Sequence, residues 1–108
     1  MIRAVFLDYT GTIVREDGPE IQEAMERICH GSQLKTPKAF QAVWWPLIRS
    51  RENLSYAEAF RCEEAIMHEA FGVLERDYGL REDIAELEEL TMQWWRNAPF
   101  YADTLPFF

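Results

Sequence analysis

Asp8, Thr10, Gly11 and Thr12 follow directly on the apolar run Val5-Phe6-Leu7, and their types and spacing are the chain's best material for chemistry. A β-branched and aromatic run that stops at a small-residue turn predicts a buried β-strand. In open α/β folds such a strand delivers its last side chain to the carboxyl-end edge of a parallel sheet, where ligands bind. Asp8 is then a carboxylate carried to the rim of a core. The bland alternative is a turn that merely caps the strand, since Asp-x-Thr-Gly is also ordinary turn chemistry.

The elements that would position Asp8 come next. The polar connector Arg15 to Pro19 leads into a first helix, with Pro19 suited to its first position and Ile21, Ala24, Met25 and Ile28 on one face. His30-Gly31-Ser32 ends it, His30 complementing the helix dipole. Thr36-Pro37 opens a second helix with Phe40, Val43, Trp44, Leu47 and Ile48 on one side. Pro46 is expected to kink or interrupt it. Ser55 and Glu58 form a capping-box pattern that predicts the start of a third helix, carrying Phe60, Ile66, Met67, Ala70, Phe71 and Leu74 to a stop at Tyr78-Gly79. A fourth is expected from about Glu82 to Arg96.

The expectation is a mainly α chain: a four-helix bundle with one N-terminal β-strand. That strand has no partner elsewhere in the sequence, and a buried unpaired backbone group costs about 1–3 kcal/mol. The sequence therefore reads as the front portion of something longer, or as a chain whose strand pairs with a second copy.

Composition narrows the function classes. The 108 residues are of single-domain size, 48 % apolar with four tryptophans, which argues for a packed globule. A net charge of −8 argues against a nucleic-acid partner. No stretch has the length of a membrane span, and the N-terminus lacks a cleavage-like site. Cys29 and Cys62 are isolated in sequence and read as reduced thiols, so the expected location is cytoplasmic, with no membrane association.

The run Val5-Phe6-Leu7-Asp8-Tyr9-Thr10-Gly11-Thr12-Ile13 resembles motif one of the haloacid dehalogenase (HAD) superfamily: an apolar strand, then Asp-x-(Asp/Thr/Tyr/Ala)-Gly-Thr-apolar. The helices that follow look like the helical cap many members insert after this motif. The resemblance implies an α/β Rossmann-like fold whose core sheet is mostly missing here. Residues 1–17 would be its motif-one strand and turn, 18–98 the cap, and 99–108 the return linker.

It also implies a Mg²⁺-dependent phosphatase or phosphotransferase acting on a small phosphorylated metabolite. Asp8 and Thr10 would be catalytic, with Asp8 the nucleophile, and Tyr9, Gly11 and Thr12 would bind substrate. The ion would be held by an Asp8 oxygen and the Thr10 carbonyl. Thr10 departs from the commonest pattern, in which a second aspartate acts as acid and base for a gain of ~10²–10⁴-fold. Threonine there is similar to the cation-pumping ATPases, and dehalogenases, which act on halogenated carbon, also lack the second acid. The family's later Ser/Thr, lysine and acid pair have no counterpart: Lys35 and Lys38 both lie at the start of the second helix, and Asp77, Asp83 and Asp103 follow no apolar strand. Alone, these residues are expected to be catalytically incompetent.

Weaker constellations remain. Glu64 and His68 share a helical face but lack a third metal ligand. Arg49 and Arg51 could meet an anionic substrate from the cap. Trp44, Trp45, Trp94 and Trp95 could form an aromatic binding wall; adjacent tryptophans on a helix cannot share one face, so one of each pair is expected in the bundle and the other against the core or a neighbour. The competing function is a helical interaction module, a homodimer formed through the unpaired strand and the aromatic surface.

Overall fold

The computed structural model describes residues 2–6, 17–98, 101–102 and 106. Its elements are α1 (Pro19–Gly31), α2 (Pro37–Glu52), a single 3-10 turn (Ala57–Ala59), α3 (Glu63–Asp77) and α4 (Ile84–Asn97). The signals that start and stop these helices are mostly local. Thr36 accepts a hydrogen bond from the Ala39 amide at 3.1 Å, with Pro37 in the first turn of α2. Asp83 does the same for Glu86 at the head of α4, at 3.3 Å. Gly79 takes φ +66° just past α3, a left-handed backbone that glycine adopts without strain.

The helices form a closed ring of neighbours: α1 packs on α4 and α2, and α3 packs on α2 and α4. The diagonal pairs keep their backbones apart, leaving the middle to side chains. Ala24, Ile28, Phe40, Met67, Phe71, Leu74 and Leu87 fill it, all buried. A smaller cluster of Ile48, Ile66 and Ala70 joins α2 to α3. At one end the loops are tied by backbone bonds, Gln33 amide to Tyr78 carbonyl and Arg81 amide to Gly31 carbonyl, both 2.9 Å.

One expectation stands only in its coarser part, and two are corrected. The N-terminal strand is not found among the described residues: Ile2–Phe6 have no regular structure, and Ile2, Val5 and Phe6 are 82 %, 74 % and 93 % exposed. A strand needs a hydrogen-bonded neighbour, and none exists among the described residues. The architecture described is therefore mainly helical. Second, α3 starts at Glu63 and not at the Ser55–Glu58 box. The Ser55 hydroxyl is held instead by Arg61, accepting from its amide at 2.7 Å and donating to its carbonyl at 2.9 Å, which closes the intervening loop. Phe60, expected on the buried face of α3, is consequently 68 % exposed. Third, α2 runs unbroken through Pro46. Proline forfeits a backbone hydrogen bond there, but Phe40 and Ile48 are buried on either side and anchor both halves.

Candidate functional site

Asp8, Tyr9, Thr10, Gly11 and Thr12 lie outside the described residues. The other candidates are placed. His68 Nδ1 sits 2.6 Å from Glu88 Oε1 on α4, so its partner is a helix-bridging carboxylate rather than Glu64. No group of three His, Cys, Asp or Glu side chains that could hold a metal ion occurs among the described residues. Arg51 is committed: its Nε donates to Glu69 Oε1 at 3.0 Å and its Nη1 to the Leu47 carbonyl at 3.1 Å. Arg49 is exposed near the end of α2. Cys29 is partly buried, and that burial pushes its thiol above the ordinary value; Cys62 is exposed.

The tryptophans gather as the aromatic-wall reading of the sequence has them. All four line one cleft of about 360 Å³ to which every helix contributes. Trp44 stacks on Phe40 with ring centroids 5.3 Å apart and tilts against Phe71 at 4.7 Å, so it forms part of the floor. Trp45, 51 % exposed, stands at the rim. Neighbouring residues on a helix point about 100° apart, and a cleft wide enough takes one on its floor and the next on its edge. Trp94 closes on the start of α1, where a side-chain carbon on Gly18 would meet its ring at 3.2 Å. A larger residue at Gly18 would need the Trp94 ring to give way by a few tenths of an ångström. The Trp94 indole N–H is buried there without an acceptor among the described residues.

Glu52 and Glu63 supply the charge. Glu52 is the last residue of α2 and Glu63 the first of α3. The loop between them brings both carboxyl groups to the lining of the one cleft. Partial desolvation raises the Glu63 carboxyl above its ordinary value, and the charge and hydrogen bond of Glu52 raise it further. Neither glutamate takes part in an ion pair among the described residues. Sequence reading missed this pair because the two glutamates stand on different helices, joined by a loop whose return no local spacing encodes, and the third helix was expected to begin before Glu63. The remaining polar lining is slight: Gln41, and Thr91, whose hydroxyl is already donated to the Leu87 carbonyl at 3.0 Å.

Arrangement and charge together make a slot with aromatic and aliphatic walls and an acidic corner. Its volume falls within the ~300–1,000 Å³ of small-molecule sites. No family model matches the chain, and no curated protein or solved structure matches it. No helix among the described residues is long and apolar enough to cross a membrane.

Proposed function

We propose that this chain carries the nucleophile segment and helical cap of a HAD-like hydrolase, a Mg²⁺-dependent phosphatase or phosphotransferase that works through Asp8. One observation carries the reading: the apolar run into Asp8-Tyr9-Thr10-Gly11-Thr12. The bundle of α1 to α4, which begins at Pro19 only seven residues after Thr12, supports it by order along the chain. In this reading the Asp8 carboxylate attacks the phosphorus of a phosphate ester, the ester oxygen leaves with the electron pair, and water later cleaves the aspartyl-phosphate. Gly11 lets backbone approach the phosphoryl oxygens, and Thr12 braces the turn. The Asp8 carboxylate and Thr10 carbonyl are hard oxygen donors suited to Mg²⁺, which when bound would offset the negative charge gathered there. Thr10 cannot shuttle a proton, so the phosphoenzyme should turn over slowly. The lysine and acid pair that complete such a site have no match in this sequence, so the chain by itself should bind a phosphate mimic without turnover.

The test is thermal. Mg²⁺ with fluoroberyllate should raise the melting temperature of the 108-residue chain, and Asp8→Asn should abolish the rise. A dimer indifferent to Mg²⁺ and fluoroberyllate would favour the second reading, an interaction module that pairs through its N-terminal segment. The exposed Ile2, Val5 and Phe6 are the observation behind that reading.

A further inference from the structure

The cleft gathers all four tryptophans of the chain, and no lysine or arginine among the described residues lines it. Among the described residues its acidic lining groups are Glu52 and Glu63, and neither has a cationic partner. We propose that this cleft is a binding site for a small organic cation, a protonated amine on an apolar or aromatic body, with its ammonium at Glu52 and Glu63 and its body against the tryptophan walls.

The chemistry of the walls selects this class over its rivals. An inorganic metal ion needs a third donor, and none is grouped with these two among the described residues. An anion meets two carboxylates and no counter-charge. A neutral apolar molecule fits the walls but leaves the acidic corner unanswered. An ammonium group carries several N–H donors and can bond both carboxylates at once, removing their mutual repulsion. Tryptophan is also the best aromatic partner for a cation held over its face. Trp45, half exposed at the rim, is available for that role on α2, the helix that ends in Glu52. The apolar body then covers Ile21 and Met25, which are half-buried at the cleft. The site uses none of residues 8–12, so it stands or falls apart from the hydrolase reading.

The experiment is a titration of the 108-residue chain with 2-phenylethylamine at neutral pH and low salt, beside 2-phenylethanol and 3-phenylpropanoate as neutral and anionic matches. Tryptophan fluorescence reports directly, because every tryptophan lines the cleft, and calorimetry gives the affinities. The amine should bind saturably and about tenfold more tightly than the alcohol, with no binding of the carboxylate. Glu52→Gln and Glu63→Gln should each weaken the amine severalfold and leave the alcohol unchanged. Both glutamates lie outside the core, and circular dichroism melts establish that each variant is folded. Trp45→Ala removes a half-exposed rim residue and should weaken the amine as well. Equal affinity for amine and alcohol, amine binding untouched by both glutamine variants, or no binding by any of the three probes overturns the proposal.

Discussion

Two groups of carboxylates sit at the α2–α3 junction, and they are treated oppositely. Glu69, on the exposed side of α3, receives two cations: Arg51 from α2 at 3.0 Å and Arg61 from the loop. Its hydrogen bond from Arg61, followed by that from Arg51, holds its carboxyl below the ordinary value. Glu52 and Glu63 receive none and face each other, so the Glu63 carboxyl is pushed up. Arginine was available nearby, yet both forks went to Glu69 and the cleft was left acidic. A carboxylate that ties a loop to a helix is given its partner within the fold. One whose partner would come from solution is left waiting. Glu82 and Glu86 belong to the first kind, sharing the Arg27 guanidinium, whose proton is held more tightly for that reason.

The comparison requires that both sites hang on one rigid frame, and its most severe test is Phe71→Ala. Phe71 is 2 % exposed, tilts against Trp44 and reaches the cleft. Removing it should cost about 3–5 kcal/mol in chemical denaturation, because the cavity can relax only in part. Amine affinity should fall with it, since Trp44 loses its backing. The fold would have to be far looser around the cleft for the loss to stay below about 1 kcal/mol.

The next effect in size falls on Glu69. Glu69→Gln should lower the melting temperature at neutral pH and low salt, and the difference should shrink as salt is added, because both pairs are solvent-exposed. The sign with pH follows from the lowered carboxyl. This stabilisation is present above the ordinary glutamate value of 4.5 and is lost as pH falls through the lower folded value. Wild type and variant should therefore converge in acid. A gap that persists in strong acid or high salt would mean that Glu69 acts through packing.

How much of this was legible in the sequence depends on the range of the interaction. Thr36, Asp83 and Gly79 act within a turn of themselves, so helix starts and stops followed from residue types. The apolar faces followed from periodicity, and Ala24, Ile28, Ile66, Met67 and Leu87 are buried as expected. The Ser55 box failed because the Arg61 backbone, six residues away, took the hydroxyl that a cap would have used. Glu52 with Glu63, and Arg51 with Glu69, are set by how a loop returns and how two helices cross, which no local spacing encodes. Asp8 was the reverse case, a motif legible to the eye that lies outside the described residues.

The smallest effect carries the opposite sign and separates the two carboxylate sites most cleanly. Because the Glu63 carboxyl is raised in the folded chain, the native state binds more protons than the unfolded one between 4.5 and the folded value. The stability that protonation contributes is fully present below 4.5 and is lost as pH rises through the folded value. Glu63→Gln removes the repulsion with Glu52, so it should raise the melting temperature slightly at neutral pH and leave it unchanged in acid. Saturating 2-phenylethylamine should reproduce that gain in the wild type and add little to the variant, since cation and substitution relieve the same repulsion. Glu69→Gln should show neither behaviour. Were Glu63→Gln to destabilise the chain at neutral pH, the cleft pair would be a structural hydrogen bond like those around Glu69, and the contrast between satisfied and waiting carboxylates would collapse.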